Sequence, residues 1–181
     1  MAPTWPRIPS NYLLTETTSF ETTTTQLEHV DKDLLNLMAA LAITIADYSE
    51  NNEYLLAVHW AHHKGEFGDD ATLGSLLDQL DVDHEDAWGQ GEAQIRLDFE
   101  GTEDGPKFAP LKLTMDMIRT LRLDYDPIVI SQQEAKWFMD HVSTAFSSIH
   151  SSNLSTPISE INLISPAERL TLQSLSTSPP P

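Results

Sequence analysis

The 181-residue chain contains no cysteine, which excludes disulfides, thiolate nucleophiles and cysteine-based zinc sites. That absence is compatible with a reducing cytosol. Positive charge is also scarce. Ten Lys and Arg stand against 28 Asp and Glu, for a formal net charge of −18. Nucleic-acid binding needs basic surface to neutralise phosphates, and an anionic membrane repels an acidic protein, so both partners are disfavoured. Long apolar runs are missing too. The greasiest stretch, Leu34–Ala46, is interrupted by Asn36 and Thr44 and is too short to span a bilayer. The opening MAPTWPRIPS lacks the apolar centre of a secretory signal. The seven glycines all fall between Gly65 and Gly105, which places most of the loops in the middle third.

What is present is ordinary for a globular domain: 40% hydrophobic and 21% charged residues, in a length that supports one core. The acid is concentrated, with 13 carboxylates and one basic residue, Arg96, between Glu66 and Asp104. This reads as a solvated acidic face or loop. The calcium-loop pattern of alternating Asp or Asn, a glycine and a distant Glu is absent.

Pro3, Pro6 and Pro9 mark an irregular arm over residues 1–10. Thr15–Thr25 carries seven threonines, whose β-branching favours a strand; low-complexity disorder is the alternative. Asp31 is placed to cap a helix with Leu34, Leu37, Met38, Leu41 and Ile45 in one stripe. Asn51–Asn52 ends it, and Tyr54–Trp60 reads as a buried strand. A short helix after Asp70 aligns Leu73, Leu76, Leu77 and Leu80. In Gln94–Glu100, Ile95, Leu97 and Phe99 alternate with charged residues, a half-buried strand.

The last third is the most regular. Leu111, Leu113, Met115 and Met117 alternate with polar residues, as do Leu121, Leu123 and Tyr125. The short gap at Ile118–Thr120 predicts an antiparallel hairpin. Ser131 and Glu134 form a capping box for a helix with Ala135, Phe138, Val142, Ala145, Phe146 and Ile149 on one face. Ser165, Pro166 and Glu168 repeat the box, with proline at the first helical position where its missing N–H costs nothing. Pro179–Pro181 closes the chain as an extended tail. Together these elements predict an α+β layer protein: a mixed, largely antiparallel sheet with two long helices on one face.

Chemical motifs are sparse. His59, His62, His63 and His84 are the imidazoles a metal site would draw on, but the helical His-Glu-x-x-His arrangement is absent. There is no Gly-x-Ser-x-Gly elbow, and the serines cluster in Ser147–Ser155, read as a loop. No Gly-x-x-x-x-Gly-Lys phosphate cradle occurs. Trp60, Trp88 and Trp137 read as core or interface residues. No catalytic, cofactor-binding or metal-binding residue is assigned.

The order LKLTMDM, LRLDYDPIVIS, a capped helix, ISEINLIS and SPAERLTL resembles the end of the C-terminal lobe of a nonribosomal peptide synthetase condensation domain. The similarity extends from about Tyr12 to Leu175 and is strongest after Phe108. Upstream, Phe20–Gln26, Asp31–Ser49 and Glu53–His59 resemble the strand, helix and strand of that lobe. ATLGSLLDQLDVDHEDAW resembles the helix that precedes its variable loop. The resemblance implies a single lobe of the chloramphenicol-acetyltransferase-like fold over residues 11–164, then a capped helix and proline-rich linker over 165–181. The family's catalytic signature, His-His-x-x-x-Asp-Gly, lies in the other lobe. The nearest approach here is His62-His63-Lys64-Gly65-Glu66-Phe67-Gly68, with Phe67 where the aspartate would stand; it reads as an exposed His pair in a loop.

Truncated lobes of this kind resemble the leading segments of fungal adenylating enzymes, such as α-aminoadipate reductases and certain peptide synthetases. Met1 with its irregular arm fits a natural start of that sort. The resemblance then implies a cytoplasmic, noncatalytic platform without a cofactor. Its partner would be an adenylation domain in the same polypeptide, with a carrier domain as a further one. Two alternatives stand beside it: a small acyltransferase completed by dimerisation with His63 as general base, and an acidic module that binds a basic protein. Replacing the capping serine in Ser131→Ala is expected to lower stability by about 1 kcal/mol, measured by urea denaturation.

Overall fold

Residues 21–26, 34–49, 53–58, 61–81, 95–99, 111–115 and 120–176 are described by the structure, a computed structural model. In chain order its elements are β1 (Glu21–Gln26), α1 (Leu34–Tyr48), β2 (Glu53–Val58), β3 (Ala61–Glu66), α2 (Leu73–Leu80), β4 (Ile95–Phe99), β5 (Leu111–Met115), β6 (Thr120–Tyr125), α3 (Gln132–His150) and α4 (Pro166–Ser176). A single 3-10 turn, Ile158–Glu160, lies between α3 and α4. The Asp31 cap, the Asn51–Asn52 break, the N-terminal arm and the proline tail lie outside the described residues.

The strands form one six-stranded sheet in the order β1-β6-β5-β4-β2-β3. β4 runs parallel to both its neighbours, and the other three pairings are antiparallel. The sheet is therefore mixed and largely antiparallel, as the alternation predicts. Registration aligns the apolar residues of successive strands. Leu56 pairs with Ile95, Ile95 with Leu111, and Leu111 with Tyr125; Leu97, Leu113 and Leu123 make the next row. All seven are buried. Because strand side chains alternate faces, this puts one continuous apolar surface on a single side of the sheet.

The two long helices cover that surface. α1 packs on β2, α2 and α3, while α3 packs on β1 and β6. The sequence pattern predicts one apolar stripe on α1, yet every residue from Leu37 to Ala46 is buried. A helix with neighbours on all sides needs no polar face. Thr44 fits this setting because its hydroxyl donates to the Ala40 carbonyl at 2.7 Å. α3 keeps the expected stripe, with Ala135, Phe138, Val142, Ala145, Phe146 and Ile149 all buried.

Caps define the other helix starts. Ser131 Oγ accepts from the Glu134 N–H at 3.3 Å, and Glu134 Oε2 accepts from the Ser131 N–H. α2 starts with a Thr72 cap that the sequence reading did not identify: Thr72 Oγ1 accepts from Ser75 N–H while Thr72 N–H donates to Ser75 Oγ. The segment after α3 holds α2 in place, since Leu73 and Gly74 N–H donate to the Thr156 and Leu154 carbonyls at 2.8 Å each. Ser147 and Ser148, read as loop residues from the sequence, belong to the last turn of α3.

Two glycines sit inside elements: Gly74 in α2, as the helix reading after Asp70 implies, and Gly65 in β3. A Cβ on Gly74 would lie 2.9 Å from the Leu154 carbonyl oxygen, and one on Gly65 would lie 2.7 Å from the Tyr54 hydroxyl. Tyr54 is cross-strand from Gly65, and its ring lies over the space that the missing side chain leaves. Gly65→Ala is expected to push that buried ring aside and to lower stability by about 1–3 kcal/mol, measured by urea denaturation with the slope unchanged.

Candidate functional site

His63, the residue on which the acyltransferase alternative rests, lies on β3 opposite Leu56 and is only 3% exposed. The expectation of an exposed His pair in a loop is therefore corrected. The chain reverses between Val58 and Ala61, earlier than the sequence reading placed it, and the backbone of His62-His63-Lys64-Gly65-Glu66 forms an edge strand. The physical reason is that this strand buries a histidine and a glycine where long aliphatic residues are expected: His63 is buried, and the Tyr54 ring fills the space over Gly65, so the usual strand pattern is lost. Phe67 packs against Tyr54 with ring centroids 5.5 Å apart. His59, His84, Trp60 and Trp88 lie outside the described residues. Trp137 is on α3 and 38% exposed.

Polar chemistry gathers elsewhere, at a joint between three helices. His141 lies on α3 within the apolar stripe and is 1% exposed. Its Nδ1 is 2.9 Å from the hydroxyl of Tyr48, at the end of α1. Its Nε2 is 3.0 Å from Oε2 and 3.2 Å from Oε1 of Glu168, on the first turn of α4. The partners assign the protons. A carboxylate only accepts, so Nε2 carries the N–H; in the neutral ring Nδ1 then accepts from the Tyr48 hydroxyl. Tyr48 also meets the rings of Phe138 and His141 edge-on, at 5.7 and 5.9 Å.

The surrounding electrostatics favour the same arrangement. Burial pushes the Tyr48 phenol well up, and Asp47, Glu168, Glu134 and Asp140 add to the shift, so the phenol stays a hydroxyl donor. Desolvation raises the carboxyls of Asp47 and Asp140. With both ring nitrogens taken by protein partners and almost no exposure, His141 acts as a structural pin. Among the described residues no group of three or more His, Cys, Asp or Glu is arranged to hold a metal ion. No described helix is long and apolar enough to cross a membrane.

Sequence reasoning missed this joint. The available signal was a histidine three residues after Phe138 and one before Val142, a polar group inside an apolar stripe that needs partners when buried. Glu168 was read as half of a capping box. Ser165 Oγ does accept from the Glu168 N–H at 3.1 Å, but the Glu168 carboxylate reaches His141 instead.

The layered sheet and its two covering helices define the class: the fold is that of condensation domains, α+β and chloramphenicol-acetyltransferase-like. The chain is similar to the starter condensation domain of the rhizomide synthetase RzmA at 12% identity and a TM-score of 0.54, covering 91% of this chain and 51% of that one. It is similar to the condensation domain from the Monacolin K polyketide synthase MokA at 11% identity and a TM-score of 0.57, covering 87% and 55%. It also matches AB3403, a four-domain nonribosomal peptide synthetase, at 10% identity and a TM-score of 0.60, covering 92% of this chain and 20% of that one. The chain thus spans about half the length of the condensation domains it matches. No protein-family model and no curated protein matches it.

Burial pushes the Tyr54 phenol up to about 12, and burial with a hydrogen bond to Glu21 does the same for Tyr125. Their folded values exceed the unfolded value of about 10. The unfolded chain therefore releases these protons first, and stability falls as pH rises from about 10 towards 12. Phenolate absorbance is expected to show Tyr48, Tyr54 and Tyr125 still protonated at about pH 11 while the chain is folded. The thermal midpoint should decline over the same interval.

Proposed function

We propose that this chain is a noncatalytic partial condensation domain, equivalent to the C-terminal lobe, that acts as a structural and docking platform for an adenylation domain. The parent would be a cytoplasmic, multidomain nonribosomal peptide synthetase or related adenylating enzyme of the fungal kind, with a carrier domain as a further partner. The observation that carries the reading is coverage: a single sheet and its two helices match about half of each condensation domain. The state of the His-His segment supports it. A general base must reach the proton it removes, whereas His63 is enclosed within the sheet beside Leu56. Phe67 is packed on Tyr54 and offers no carboxylate.

The acyltransferase reading would need His63 to be uncovered by a second copy of the chain. The acidic-module reading draws on the net charge of −18, which gives solubility and general attraction to basic partners without selecting one.

Two measurements test the proposal together. The coding sequence around this chain is expected to encode an adenylation core in the same polypeptide. Hydrogen exchange of the chain, alone and with that adenylation domain, is expected to show one face gaining protection. Absence of such a core, or no protected face on adding it, would sink the docking role. Carrier-linked acyl transfer by the isolated chain that is lost in His63→Ala would establish the acyltransferase reading in its place.

A further inference from the structure

α4 is the least embedded element of the described structure. None of its residues is buried, and Leu170 and Leu175 are largely exposed. It takes no part in the close packing that joins α1, α2, α3 and the sheet. Polar ties position it. Its lead-in is fastened to α3 by Asn162 N–H donating to Ser148 Oγ at 3.0 Å. Arg169 Nη2 donates back to Asn162 Oδ1 at 3.2 Å. From the helix itself, Glu168 reaches α3 through the buried His141 ring, which is held in turn by Tyr48 of α1.

The same glutamate has a second use written in the sequence. Ser165 and Glu168 have capping-box spacing, and the equivalent box at α3 is complete, with Glu134 Oε2 accepting from the Ser131 N–H. At α4 only half of that box is formed: Ser165 Oγ accepts from Glu168 N–H, and the carboxylate is on His141. The carboxylate has two acceptor positions within its reach by sequence, and in this structure it takes the one at His141 and leaves the box half made.

We propose that Glu168 is a two-position latch that makes α4 a detachable strap. In the closed position its carboxylate accepts from His141 Nε2–H and seats α4 against α3. In the open position the carboxylate turns back to the Ser165 N–H and completes the box, so α4 leaves as an intact, capped helix. The closed position is held at α3 by that charge-assisted hydrogen bond, with none of the α4 residues buried. The use of such a strap to set the position of an adjoining domain rests on the docking role proposed above; the latch itself does not.

Hydrogen exchange on the 181-residue chain alone tests the latch, so its failure is distinguishable from failure of docking. Glu168→Ala removes both uses of the carboxylate. Glu168→Asp keeps a negative charge at the helix start, while losing one methylene of reach towards His141. In both variants the amides of α4 are expected to exchange about tenfold faster, while those of α1 and α3 keep their parent rates. Nitrogen-15 spectra should show His141 as the Nε2–H tautomer in the parent, with its ring signals displaced in both variants. Unchanged α4 exchange in both variants would overturn the latch. Parent-like exchange in Glu168→Asp alone would also overturn it, because helix-start charge would then explain the effect. Equal acceleration of α1 and α3 would do so as well, by showing global loosening.

Discussion

Everything in this fold is arranged around the enclosure of α1. From Leu37 to Ala46 the helix has no residue that belongs in water, so it must be covered on every side at once. The sheet covers one side through β2, and α2 and α3 cover the others. Burying a single leucine or isoleucine contributes about 1.5–3 kcal/mol, more than a helix cap at about 1 kcal/mol, and α1 has several. Ala39, Ala40, Ala42 and Ala46 are small enough for its neighbours to approach closely. The same enclosure carries Tyr48, at the end of the helix, into the interior beside His141.

That placement explains why the polar joint at His141 is structural. A buried imidazole gains from partners at its ring nitrogens. Here one partner comes from α1 and the other from α4, so the ring ties together residues 27 positions from it on one side and 93 on the other. His63 is a different case. It sits in a sheet beside apolar neighbours, and its environment is that of packing. The likeness to condensation domains concerns the scaffold.

Much of the architecture was legible in the order of residues. Two-residue alternation at Leu111–Met115 and Leu121–Tyr125 predicts strands that the structure pairs antiparallel. The stripe from Ala135 to Ile149 and the Ser131–Glu134 box predict α3 with its correct start. The reading failed where one element was shaped by another. β3 carries a glycine at position 65 because the Tyr54 ring occupies the space above it. α2 was expected, but not the close approach of the Leu154 carbonyl to Gly74 in its first turn. The all-round burial of α1 depends on neighbours that come later in the chain.

The sequence by itself determined the periodic elements, two of the caps, the acidic balance and the lack of a complete catalytic signature, because each is a property of residues near one another along the chain. Only the tertiary structure decided that His63 is buried, that Phe67 rests on Tyr54, and that Glu168 leaves its own cap to hold His141. Those are contacts across long separations, and the physical reason is competition. A carboxylate or an aromatic ring has several acceptable partners, and only the packed fold decides which one is within reach.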